Sequence, residues 1–230
     1  MRTRRLFFSW LHRWVALTFG VWIALQGLTG ATLVWHFELD AWLNPTWFSA
    51  SRQGCTLPDQ PISRALHVFE QATGGARPSM VIAPETPGAP FIVRQQLPSG
   101  MHRQHFIDAA CAQYLGSRDW GAPHADRPHL IPALYEIHRS LLGGDGGRGL
   151  VGIAGLALLG LLVSGVWLAW PRCQGAARGW HAVLSVKRNG SLQRRCFDLH
   201  RASGLWLLPF LLLMCITGAY LCFPQPSRAL

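Results

Sequence analysis

Three runs without a single charged residue divide the chain: Trp14 to Trp35 and Gly149 to Trp170, of 22 residues each, and Ser203 to Phe223, of 21. As a helix, a run of roughly 20 apolar residues crosses about 30 Å of hydrocarbon. The pattern therefore predicts transmembrane helices over 14–35, 148–170 and 203–223. Pro209 lies inside the third run and is compatible with a spanning helix, because neighbouring helices can satisfy the carbonyl it leaves free. A cleaved signal peptide fits the first run poorly, since that run exceeds the roughly 7–15 apolar residues of a signal core. Between the first two runs the period changes. Ile62, Leu66 and Phe69 fall at helical spacing, and Gly74-Gly75 is a stop signal. Met80-Val81-Ile82, Phe91-Ile92-Val93 and His105-Phe106-Ile107 then read as short strands, divided by Pro84–Pro90 and Pro98–Gly100. A polar Pro/His loop covers 119–129. An amphipathic helix is predicted over 130–142, ended by Gly143-Gly144-Asp145-Gly146-Gly147. The predicted fold class is a membrane all-α protein of three transmembrane helices, with a small α+β domain inserted between spans one and two.

Composition agrees. Half of the residues are hydrophobic and 14% are charged, against about a quarter charged in a soluble domain. An ordinary soluble protein and a disordered chain are both excluded. The formal net charge of +10 raises a nucleic-acid partner until the charges are located. Residues 1–13 carry Arg2, Arg4, Arg5 and Arg13 and no acid, and 171–201 carries six Arg and Lys187 against Asp198 alone. Segment 36–147 has eight Arg against ten acids. By the positive-inside rule the N-terminus (1–13) and the loop 171–202 are cytoplasmic, and 36–147 and the tail 224–230 are outside. Attraction to anionic lipid accounts for the basic excess. The cytoplasmic loop is too short for a nucleic-acid-binding domain.

Cys55 and Cys111 both fall outside, where disulfides persist, and either pair or remain free thiols. Cys173 and Cys196 are cytoplasmic, and Cys215 and Cys222 lie in or near the third span. No CxxC or CxxCH spacing occurs, so zinc ribbons and covalent c-type haem are not indicated.

Spans one and three are an internal repeat. Leu11-His12-Arg13 matches Leu199-His200-Arg201, and eighteen residues after each His stands the Gly of Thr29-Gly30-Ala31 or Thr217-Gly218-Ala219. Both helices run the same way, so His12 and His200 share one depth, at the cytoplasmic ends. His36, just past span one, and His138, in the helix leading to span two, share the outer depth. Two His pairs at two depths suit a transmembrane electron path through two haems, because bis-imidazole ligation closes both axial positions and favours electron transfer. Gly20, Gly27, Gly30, Gly152, Gly155, Gly160 and Gly165 leave room for a ring. The bland reading is interfacial histidines, snorkelling arginines and glycines that pack helices. His12 and His36 also lie about 120° apart around an ideal helix, so the two haems would sit on different sides of span one unless His36 lies beyond it. His67, His102, His105, His124, His129 and His181 have no partner at matching depth and read as surface residues. His102 and His105 are a minor candidate for an outside metal.

The segments LHRWVALTFGVWIALQGLTG (11–30), IHRSLLGGDGGRGLVGIAGLALLGLLVSGVWLAWPR (137–172) and FDLHRASGLWLLPFLLLMCITGAYL (197–221) resemble the PepSY-associated transmembrane family of bacterial inner-membrane proteins. The resemblance implies a b-type haem protein with a small PepSY-like periplasmic domain, akin to ferric-siderophore reductases. It carries over His12, His36, His138 and His200 as axial ligands, in the pairs His12/His200 and His36/His138. Arg13, Arg201 and Arg139 then either pair with haem propionates or anchor the helices. Longer relatives have a fourth span, so this chain is similar to a short, three-span branch in which a second subunit or another copy supplies the missing helix. No nucleotide fingerprint lies in the cytoplasmic loop. Electrons must then come from quinol or a separate reductase and leave to a periplasmic ferric complex or redox partner. The alternative is a haem-free anchor in the lipid bilayer whose PepSY-like domain binds a periplasmic protein.

Overall fold

The computed structural model describes residues 2–48, 61–86, 88–122, 124, 126–171 and 176–223. In chain order the elements are α1 (Arg2–Leu33), α2 (His36–Leu43), α3 (Pro45–Phe48), α4 (Ile62–Thr73), β1 (Pro78–Ile82), β2 (Phe91–Gln96), β3 (His102–Ile107), β4 (Tyr114–Trp120), α5 (Arg127–Ser140), α6 (Gly144–Ala169), α7 (Ala176–Leu184), α8 (Leu192–Trp206) and α9 (Leu208–Cys222). They form two compact units, one of residues 1–28 with 139–230 and one of 29–138.

In the helical unit α1 and α6 run antiparallel. The Arg5 guanidinium donates to Leu168 O at 2.9 Å, and Phe8 meets Trp167 with ring centroids 5.6 Å apart. Gly152 lets α9 close on α6: a Cβ there would lie 2.9 Å from the Phe223 ring and 3.1 Å from Cys222 Cβ. Leu17, Val21, Leu28, Val163, Phe210 and Leu213 face outward, apolar on surfaces that a bilayer covers. Thr3–Leu33 and Gly144–Ala169 are each long and apolar enough to cross a membrane.

The third predicted span is not one helix. α8 and α9 meet at 63°, so the described helices make two spans, or three if the bent pair counts as one. Pro209 is the cause. It has no N–H for Leu205 O, and its ring crowds that carbonyl. Leu207 N–H closes α8 on Ser203 O, and Leu207 O opens α9 by accepting from Leu211 N–H, both at 2.9 Å. The basic loop is also structured in part. α7 and α8 form a hairpin in which Arg201 donates to Val183 O and Ala182 O at 2.9 and 2.8 Å. Buried Asp198 receives both Arg194, at 3.0 Å, and Arg201, at 2.9 Å.

In the sheet unit four strands form an antiparallel meander in the order β1-β2-β3-β4. Val93 stands opposite Val81 on one side and His105 on the other. α4 packs on one face, where Ala65 and Phe69 join Phe91, Val93, Ile107 and Ala109 in a core. It ends at Gly74, whose φ of +68° is the left-handed C-cap that glycine tolerates. β4 was not foreseen. Its sequence YLGSRDW lacks a run of β-branched residues, and its Gly116 serves the other face: a Cβ there would lie 2.8 Å from Trp47 Nε1. That face holds Trp47 stacked on Phe106 at 4.6 Å, and a buried ion pair between Arg118 and Asp40 at 2.6 Å. Arg118 also donates to Gln104 Oε1 and Pro128 O.

The helix predicted over 130–142 is α5, three residues earlier at its start, with Pro132 inside it. The glycine run predicted to end it instead opens α6. The turn between them is tight: Leu141 and Leu142 take φ of 51° and 60°, and a Cβ on Gly147 would lie 1.7 Å from Ser140 O. Cys111 is disulfide-bonded, and Cys55 lies outside the described residues.

Candidate functional site

α1 carries His12 facing α6, where its Nδ1 lies 2.8 Å from Ser164 Oγ. Ser164 is itself an apolar-helix hydroxyl that donates to Gly160 O at 2.8 Å, one turn back. A hydroxyl has one proton, so with that proton on Gly160 O the oxygen accepts from His12 Nδ1–H. In that arrangement His12 carries its proton on Nδ1 and its lone pair on Nε2. His200 on α8 stands across from it, with ring centroids 6.4 Å apart and planes at 73°. Two imidazoles on opposite sides of one metal, each bound through nitrogen at about 2 Å, hold their centroids about 6 Å apart. The spacing therefore fits a bis-imidazole pair. Gly165 adjoins the ring: a Cβ there would make ordinary contact with His12 Cε1, at 3.6 Å.

The second predicted pair is half assembled. In the sheet unit His138 Nδ1 lies 3.0 Å from Thr29 Oγ1, and the ring sits over Gly30, where a Cβ would be 2.8 Å from Cε1. His36 lies past the end of α1, in the first turn of α2. Its Nδ1–H donates to Leu33 O at 3.0 Å, and its exposed ring packs on Phe37 at 4.2 Å. Its contacts do not include His138. The separation of about 120° expected on one helix does not arise, because α1 ends at Leu33 and the chain turns at Val34-Trp35.

The arginines differ. Arg13 is exposed beside His12, and Arg139 is exposed beside His138. Arg201 is engaged by Asp198 and by the carbonyls of α7. Of the glycines expected to admit a ring, Gly30 and Gly165 border histidines and Gly152 borders α9, while Gly20, Gly27, Gly155 and Gly160 have nothing within 4 Å.

His105 is not a surface residue. It is buried edge-on to Phe69, with Nδ1 3.0 Å from Tyr114 Oη and Nε2 3.0 Å from Gln95 Oε1. Burial, and next the positive Arg103, push its pKa below the usual 6.5. Both ring nitrogens are committed, which removes it as a metal ligand. His102 starts β3, exposed, opposite Trp120. Among the described residues no group of three or more His, Cys, Asp or Glu is arranged to hold a metal ion.

A family model, the PepSY-associated TM region, matches residues 9–230. The chain belongs to the PepSY-associated TM family. Over 89 residues it is 40% identical to Uncharacterized protein PA4219 of Pseudomonas aeruginosa. That match covers 39% of this chain and 21% of the relative, so the chain spans about a fifth of that protein's length.

Within this PepSY-associated protein, sequence reasoning missed Ser164 and Thr29. Each is a hydroxyl in an apolar helix, a common helix-packing residue. The signal was available in the dipeptides: Ser164-Gly165 and Thr29-Gly30 each pair a hydroxyl with an absent side chain.

Proposed function

We propose that this protein is a b-type di-haem electron carrier of the bacterial inner membrane, passing electrons from the cytoplasmic side or the quinol pool to a ferric complex outside. The observation that supports it most is the His12/His200 pair, with ring centroids 6.4 Å apart and His12 Nδ1 2.8 Å from Ser164 Oγ. Haem supplies one-electron chemistry, and the protein places and tunes it. His12 and His200 are the ligands on the cytoplasmic side of the charge-derived topology. His138 and His36 are the pair on the outer side, and there His36 must leave Leu33 O and turn from Phe37. Arg13, exposed beside His12, is the arginine to meet a propionate, since guanidinium matches carboxylate geometry. Arg201 instead holds the α7–α8 hairpin.

The test is reoxidation. Dithionite-reduced protein mixed with ferric citrate in a stopped-flow instrument should lose its reduced haem band rapidly. His138→Ala should block that reoxidation while the haem held by His12 and His200 remains reducible. Wild-type reoxidation rates in His138→Ala would contradict the outer assignment.

A further inference from the structure

Two histidines in two different units are held in the same way. At His12, Ser164 Oγ takes Nδ1 at 2.8 Å and Gly165 borders Cε1. At His138, Thr29 Oγ1 takes Nδ1 at 3.0 Å and Gly30 borders Cε1. α1 carries the histidine in the first case, against a dipeptide on α6, and the dipeptide in the second, against a histidine on α5. The internal repeat relates neither cradle to the other.

We propose that Ser164-Gly165 and Thr29-Gly30 are imidazole cradles, in which Ser164 and Thr29 are positioning residues that turn Nε2 of His12 and of His138 towards a haem iron. The proposal rests on the haem reading above and adds to it. A hydrogen bond at Nδ1 fixes the tautomer and the ring orientation and makes the other nitrogen a stronger donor. The glycine lets the ring lie against the helix backbone. The two glycines differ in how tightly they are used. A Cβ at Gly30 would stand 2.8 Å from Cε1, closer than packing allows, whereas at Gly165 it would stand at 3.6 Å, an ordinary contact.

The chain contains its own control. Thr217-Gly218 is the repeat counterpart of Thr29-Gly30. Its hydroxyl donates to Leu213 O at 2.8 Å, and nothing lies within 4 Å of a Cβ at Gly218. The dipeptide alone therefore does not make a cradle.

The experiment is a redox titration and low-temperature EPR of the purified full-length protein, wild type against Ser164→Ala, Ser164→Thr, Gly30→Ala and Thr217→Val. Ser164→Ala should raise the potential of one haem and change its low-spin g values, because the weaker donor favours ferric iron less. It should also weaken retention of that haem by about 10–100-fold, as loss of an outer-shell partner does. Ser164→Thr should restore both. Gly30→Ala should displace the other haem, while Thr217→Val leaves both spectra as in the wild type. The haem on the unmutated pair reports that the protein is folded, since a misfolded variant would lose both. Wild-type potentials and g values in both Ser164→Ala and Gly30→Ala would overturn the cradles and leave the haem reading standing. A wild-type protein without haem would overturn both.

Discussion

His12 meets Ser164 through Nδ1, and its ring stands 6.4 Å from that of His200. If the gap between the rings holds a metal, the pair acts as one unit. His12→Ala and His200→Ala should then each remove the same haem, and the double variant should lose no more than either single one. Haem content per chain and the potential of the remaining haem distinguish this from loss of two different haems. Charged residues in the sheet unit separate by burial in the same manner. Arg118 and Asp40 are almost completely buried, at 2% and 7% side-chain exposure, while Arg103 and Asp119 are at 40% and 29%. Removing one partner of a buried pair leaves an uncompensated charge and costs about 3–5 kcal/mol, against about 0–1 for an exposed pair. Asp40→Ala should therefore lower the denaturation midpoint far more than Asp119→Ala in the same fluorescence-monitored unfolding experiment. Equal shifts would mean that the network around Arg118 carries little of the stability.

Strand β3 carries a titratable group in the core. His105 lies between Gln95 and Tyr114 with its pKa pushed below the usual 6.5, mainly by burial. The unfolded chain then takes up the proton at a higher pH than the folded one. The stability that depends on neutral His105 is complete above about pH 6.5 and is lost as pH falls below it. Hydrogen exchange of the β3 amides should accelerate between pH 7 and pH 5 relative to the intrinsic rate, and His105→Gln should flatten that dependence. The turn before α6 makes a different prediction. Leu141 and Leu142 both adopt positive φ, at roughly 1–2 kcal/mol each for a side chain in that region. Leu142, 62% exposed, has little packing to lose, so Leu142→Gly should raise the melting midpoint. A lower midpoint would show that its side chain matters more than its backbone. Elements differed in how plainly they could be read. α4 and α6 followed from apolar spacing and stop signals. β4 did not, because Gly116 and Arg118 are there for Trp47 and Asp40, which lie far off in sequence. The break between α8 and α9 was marked by Pro209, but a proline allows either a bend or a tolerated kink, and only packing decides between them.

For the whole molecule, charge patterning predicts an orientation. By that count Cys196, exposed on α8, faces the cytoplasm. An impermeant maleimide should label it only after spheroplasts are opened, and labelling of intact spheroplasts would invert every depth assigned above. The two histidine pairs were legible to different extents for a physical reason. His12 and His200 are equivalent in the repeat, so sequence alone could pair them, and the rings stand 6.4 Å apart. His36 and His138 were paired by depth alone, and depth does not fix azimuth: a turn at Val34-Trp35 carries His36 onto a new helix. The dipeptides Ser164-Gly165 and Thr29-Gly30 marked Ser164 and Thr29 only weakly, because a hydroxyl in an apolar helix has many uses and only the facing imidazole reveals this one. The central claim is that these histidines ligate haem, and the most direct measurement is a haem count: pyridine haemochrome analysis of the purified full-length protein, with its reduced-minus-oxidised spectrum. The account predicts two b-type haems per chain and a sharp reduced α-band, while a colourless, monodisperse protein would contradict it.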